Sequence, residues 1–212
     1  MDRRELLKMI AVLTGGVVVG GEVFLSGCTN TEKSAAAFST ADISFLDEVA
    51  ETILPATKTP GAKAAAVGQF MTVIVNDCYT EKDQKVFHDG MKKLDEACNK
   101  MHGHSFMKAS PQERHDLLVS IDNEAKSYKK TRDDFNKEQN KKEEEAKTQG
   151  NKDYRKEEMD NHYFLLMKQL SLWGYFTSEA GMKAQRYIPV PGRYEGCIDY
   201  KKGDKSIVGL GG

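Results

Sequence analysis

An excess of charge of either sign is missing from this chain: 31 basic residues stand against 32 acidic ones, for a formal net charge of −1. Bulk attraction to nucleic acid is therefore not indicated, and no nucleic-acid partner is expected. Cysteine is scarce, with four in 212 residues. No Cys-x-x-Cys-His run occurs, which excludes ordinary c-type haem attachment. Apart from Cys28 near the N-terminus, only Cys78, Cys98 and Cys197 remain, too few for a four-thiolate iron–sulfur cluster and enough for one internal disulfide at most. No Gly-rich phosphate loop follows a strand pattern, and no Ser/His/Asp set stands out, so no catalytic or cofactor-binding residue is assigned to this chain. The longest apolar run, from about Met9 to Phe24, is interrupted by Gly15, Gly16, Gly20 and Gly21 and falls short of the roughly 20 residues of a spanning helix.

What is present starts at the N-terminus. Arg3 and Arg4, followed by Lys8 and then the apolar run, have the order of a twin-arginine export signal. Asp2 stands where that pattern usually has Ser or Thr, and Leu6 where it often has Phe. Leu25-Ser26-Gly27-Cys28 is similar to a bacterial lipobox, in which small residues admit a peptidase before a lipidated cysteine. The expectation is a signal peptide over residues 1–27 and a lipidated N-terminus and tether over 28–39. The mature protein would then be held on a membrane by the lipid on Cys28 and face the periplasm.

Removing the leader leaves about 185 residues, enough for one domain, expected over residues 40–212. Helical spacing dominates it. Thr40 is placed to cap a helix carrying Ile43, Leu46, Val49, Ala50, Ile53 and Leu54, which Pro55 stops. Pro60 opens a second, with Val67, Phe70, Met71, Ile74, Val75 and Cys78 on one face. Thr80 and Asp83 form a capping box before the stripe Phe87, Met91, Leu94, Cys98 and Met101, and Gly103 ends that helix. Ser110-Pro111-Gln112-Glu113 starts a fourth, with Leu117, Leu118, Ile121 and Ala125.

Residues 126–160 are a charged insertion with apolar residues too sparse for a buried stripe. It reads as a solvated helix held by ion pairs, a mobile insertion broken near Gly150, or a docking arm. Tyr163, Phe164, Met167, Leu170 and Phe176, beside Trp173, read as a core helix. The remaining tail, with two prolines and six glycines, should be extended and hold at most a short strand pair. The predicted fold is all-α, a small bundle of about five to six helices with an extended, loop-rich C-terminal segment.

Cys98, His102 and His104 suggest a metal site by spacing, but a fourth ligand is missing and Cys98 lies on an apolar stripe, where free cysteine behaves as a small hydrophobe. No metal is assigned. Cys78 and Cys98, on core faces of adjacent helices, are a candidate disulfide. Asp42, Asp47, Glu48 and Glu51 make an acidic run that favours a helix N-terminus without needing a catalytic role.

Two stretches carry a resemblance. Residues 52–79, TILPATKTPGAKAAAVGQFMTVIVNDCY, and residues 173–199, WGYFTSEAGMKAQRYIPVPGRYEGCID, resemble the opening and closing segments of the gluconate 2-dehydrogenase subunit 3 family. That family supplies the small subunit of membrane-bound, flavin-dependent sugar dehydrogenases. The resemblance implies a non-catalytic accessory subunit whose leader exports a leaderless partner as a folded complex. FAD would be bound by the GMC-type large subunit, electrons would leave through a cytochrome c subunit, and substrate would touch the other chain. Thr57, Thr59, Pro60 and Gly61, with Thr177, Ser178 and Glu179, match the family segments and are candidates for the partner interface, or for caps and turns that only stabilise the fold. The charged stretch at 126–160 is longer and more polar than in the family. It leaves a second reading, a free-standing envelope lipoprotein that binds a ligand or partner through that arm.

Overall fold

The computed structural model describes residues 38–151, 154–188, 192, 197, 199, 201–205, 207 and 208. Arg3, Arg4 and Cys28, and most of the closing Pro-Val-Pro-Gly segment, lie outside the described residues.

Six α-helices make up the described part: α1 (Thr40–Ile53), α2 (Val67–Cys78), α3 (Glu81–His102), α4 (Pro111–Thr148), α5 (Tyr163–Thr177) and α6 (Glu179–Ala184). A 3-10 turn, Phe106–Lys108, separates α3 from α4. Two-residue strands β1 (Arg186–Tyr187) and β2 (Ile207–Val208) pair in parallel, a single short ladder that leaves the class all-α. No described helix is long and apolar enough to cross a membrane.

The core is contiguous. Leu46 and Val49 of α1, Val67, Met71 and Val75 of α2, Phe87, Leu94 and Cys98 of α3, Leu117 of α4, and Phe164, Met167 and Leu170 of α5 meet in it, with Phe106 from the 3-10 turn. Each such Leu, Val or Phe contributes about 1.5–3 kcal/mol by leaving water.

Ends of helices follow local chemistry. Ser110 and Glu113 complete a reciprocal capping box with Pro111 at the first position, and Gly103 closes α3 with a left-handed φ of 81°. The start of α1 is one residue earlier than Thr40 suggests: Ser39 is the cap, and it shares a capping box with Asp42. Thr80 caps α3 through the Asp83 N–H at 3.2 Å.

The larger departure is α2. It begins at Val67, not at Pro60, because residues 54–66 form a turn held from outside. Met101, expected in the α3 stripe, is 49% exposed in the last turn, where the core no longer reaches. The charged stretch does not break after Ala125; α4 runs 38 residues, about 57 Å at about 1.5 Å per residue. Pairs one turn apart, Lys126–Asp122 at 2.8 Å, Lys142–Glu138 at 2.7 Å and Lys147–Glu143 at 2.8 Å, support it in place of a buried stripe. It ends at Gln149 and turns at Gly150, φ 76°.

The Cys78–Cys98 pairing does not fit this fold. Both thiols are free, Cys78 exposed and Cys98 buried. Cys98 lies about 26 Å along α3 from Glu81 at about 1.5 Å per residue. Cys78 is close in sequence to Glu81, within about 11 Å. Their Cα atoms are thus separated by well over the roughly 7 Å that a disulfide spans.

Candidate functional site

The two segments singled out by resemblance meet in space. The hydroxyl of Tyr175, in α5, donates to the carbonyl of Pro60 at 2.8 Å. Around Pro60 the turn is clasped by Glu51 of α1: one carboxylate oxygen accepts from the Ala56 N–H and the other from the Lys63 N–H, each at 2.8 Å. Gly61 is packed so closely on this clasp that a Cβ there would come within 2.3 Å of a Glu51 oxygen and 2.6 Å of the Ala56 nitrogen. The Thr57 N–H donates to the Thr59 carbonyl at 3.0 Å, and the Ala62 N–H to that of Leu54 at 3.0 Å. Ala66 then takes a left-handed φ of 53° to launch α2.

The residues of the closing segment also have local partners. Thr177 donates to the Trp173 carbonyl at 2.7 Å. Ser178 caps α6, accepting from the Gly181 N–H at 3.1 Å while donating to the Tyr175 carbonyl at 2.6 Å. Glu179 pairs with Lys183 one turn on. The structure therefore brings Pro60 and Gly61 together with Tyr175. It gives Thr57, Thr59, Thr177, Ser178 and Glu179 turn and cap bonds at the surface or near it.

The acids of α1 are likewise committed. Only Asp42 serves the first turn; Asp47 accepts from the Gly68 N–H at 2.7 Å and ties α2 to α1. Burial pushes the Asp47 carboxyl above its usual value against that hydrogen bond. Burial also works against the charge of Glu48, but Lys63 and Arg114 together hold its carboxyl below the ordinary range. Arg114 spends its other N–H groups on the Phe106 and Met107 carbonyls, both at 3.0 Å, and lies 5.3 Å over the Phe106 ring. The run Asp47, Glu48 and Glu51 is thus a set of clamps that sequence reading missed. Its one-turn spacing on a single helix, just ahead of the Pro- and Ala-rich turn around Gly61, was the available signal.

Cys98 is fully buried, and burial first, then Asp95 and Glu113, push its thiol up. His102 and His104 instead approach Glu113, at 3.9 and 3.4 Å. Among the described residues no three His, Cys, Asp or Glu side chains are grouped to hold a metal ion. A cleft of about 600 Å³ between α3, α4 and the start of α5 is lined by Lys82, Lys93, Asp89, Glu124, Asp160 and His162 among others, a mixed-charge wall.

Trp173 and Phe176, read from the sequence as core, are 48% and 40% exposed, while Phe164, Met167 and Leu170 of the same helix are buried. Helix α5 is apolar on more sides than the bundle can cover.

Fold and site together define a small all-α protein whose gathered polar side chains lock turns and caps and whose apolar surface is partly uncovered. The chain belongs to the gluconate 2-dehydrogenase subunit 3 family, whose model matches residues 40–192. Membership marks it as an accessory subunit of the gluconate 2-dehydrogenase kind and implies a dehydrogenase partner. Neither a curated protein nor a solved structure matches the chain.

Proposed function

We propose that this chain is the exported, lipid-anchored accessory subunit of a flavin-dependent sugar or sugar-acid dehydrogenase. In this reading FAD and substrate are held by a GMC-type large subunit, and electrons pass to a cytochrome c subunit. This chain supplies the twin-arginine leader, the membrane anchor at Cys28 and a stabilising surface. The observation that carries the reading is the family match over residues 40–192, in a sequence where Arg3 and Arg4 precede an apolar run. A flavoprotein folds around its cofactor before export, so a leaderless one needs a companion that has a folded-protein signal. The absence of a strand-then-Gly-rich-loop motif in the sequence supports placing the flavin in the partner.

The test is co-expression with the proposed leaderless flavoprotein subunit. Envelope fractions are assayed for bound flavin and sugar-dependent dye reduction, with wild-type and Arg3→Lys/Arg4→Lys leaders. Flavin and activity are expected in the envelope only with the paired arginines. A flavoprotein that reaches the envelope equally well without this chain overturns the reading, and a lone, colourless lipoprotein on purification supports the free-standing alternative.

A further inference from the structure

Helices α2 and α5 present a continuous face that nothing in the described bundle covers. Val73 is 50% exposed, Trp173 48%, Phe176 40% and Leu172 38%. They are joined rather than scattered: the Phe70 ring of α2 meets Trp173 edge to face, with centroids 5.4 Å apart. Val73 follows Phe70 by three positions on α2, and Phe176 follows both Leu172 and Trp173 by one turn on α5. Single exposed apolar residues need no explanation, but a contiguous patch does.

We infer that this face is the docking surface for the catalytic chain of the dehydrogenase, and that it receives an apolar surface of that chain. The inference rests on the accessory-subunit reading and names the contact by which it operates.

Chemistry fixes the type of partner. In a chain that is 30% charged, four of the polar residues interleaved in the face, Gln69, Asn76, Gln169 and Thr177, carry no charge, and Asp77, one turn after Val73, is its acid. Depletion of charge with enrichment of aromatic residues is the composition of an interface core.

Rigidity favours affinity. A Cβ on Gly174 would lie 2.6 Å from the Phe70 ring, so the helices meet at van der Waals contact and Phe70 is pinned before any partner arrives. Little side-chain freedom is then lost on binding.

Area weighs against a second copy held by this face alone. Trp173 and Phe176 each leave roughly half of a side chain of about 150–250 Å² open, and the whole face offers on the order of 300 Å² of apolar surface. Two copies meeting through it alone would bury about 600 Å², half of the roughly 1,200 Å² that a specific interface requires. A large subunit that also covers the surrounding polar surface reaches about 800 Å² per side, with these side chains as its centre.

The experiment titrates the purified flavoprotein against the detergent-solubilised full chain, wild type, Val73→Glu, Trp173→Ala and, as a control on the distal part of α4, Lys141→Glu. Val73 is half exposed, so Val73→Glu is expected to keep the wild-type far-UV circular dichroism and melting temperature even if Trp173→Ala loosens Phe70. Both face variants are expected to bind at least about 30-fold more weakly, the effect of losing a central anchor, and Lys141→Glu is expected to bind as wild type. Wild-type affinity in Val73→Glu and Trp173→Ala overturns the docking surface while leaving the accessory-subunit reading in place. No binding by the wild type overturns that reading, and this inference with it. A wild-type dimer that Val73→Glu converts to monomer, with flavoprotein binding intact, assigns the face to a second copy and also overturns the inference.

Discussion

At Gly61, what matters is the lack of a side chain. Both oxygens of Glu51 are occupied by backbone N–H groups on either side of the turn, and the α-carbon of Gly61 sits against them. An alanine methyl would overlap the carboxylate or expel it, leaving the N–H groups of Ala56 and Lys63 to find other partners. Gly61→Ala is expected to destabilise the fold by about 2–3 kcal/mol, the loss of one to two charge-assisted hydrogen bonds plus local strain. In a domain of this size that is a fall of about 5–10 °C in melting temperature by calorimetry. A shift under 1 °C would mean that the turn repacks freely. Thr57, exposed at the tip of the same turn, should tolerate alanine within about 0.5 kcal/mol. Sequence reading placed both residues in one motif and could not rank them. The difference lies in Glu51, whose reach into the turn depends on the angle at which α1 meets it.

Among the elements, α5 starts from an unusual cap. The buried His162 Nδ1 accepts from the Phe164 N–H at 3.2 Å, so that nitrogen must carry no proton in the folded state. Burial holds the imidazole below its ordinary pKa of 6.5; Lys93 adds to this and Glu124 opposes it. The unfolded chain then binds a proton below about pH 6.5 that the folded chain refuses, so stability rises with pH through this window. The contribution is complete above about pH 6.5 and is lost as the pH falls from there towards the lower folded-state pKa. His162→Asn keeps a capping acceptor without a titrating group and is expected to flatten the fall in melting temperature between about pH 7 and about pH 5. Some slope should persist, because burial also depresses His88. An unchanged slope would remove His162 from the account.

Element boundaries were legible where local chemistry alone sets them, as at Ser110 with Glu113 and at Gly103, and at α1 they were off by one residue, with Ser39 rather than Thr40 as the cap. They were not legible at Val67, where the helix starts from a left-handed alanine in a turn held by α1. Trp173 and Phe176 misled for a related reason. Helical spacing reports which residues share a face, whereas coverage of that face depends on how many neighbours the fold supplies.

On the scale of the molecule, the chain leaves the bundle and returns to it at nearly one point. The Tyr128 hydroxyl donates to the Asp160 carbonyl at 3.0 Å, and Arg132 bonds to the Asn161 side chain. The intervening helix and the segment returning from it pack on each other, with Gln139 bonded to Tyr154 at 3.1 Å and Ala146 buried, yet Ala146 is not part of the central core cluster. This projection was the least legible part of the chain. With few apolar residues its helix rests on charge pairs one turn apart, and the same composition suits a disordered loop. Its separation from the core makes a clean deletion available. Replacing residues 134–157 by a short glycine linker keeps Arg132 and Asn161 and every residue of the core cluster, so the shortened protein is expected to melt cooperatively within a few degrees of wild type. If the α2/α5 face docks the dehydrogenase chain, the shortened protein should still co-purify the flavoprotein with one flavin per complex. A folded bundle that no longer retains it would move the contact to the charged projection, because the deletion leaves Phe70, Val73, Trp173 and Phe176 untouched.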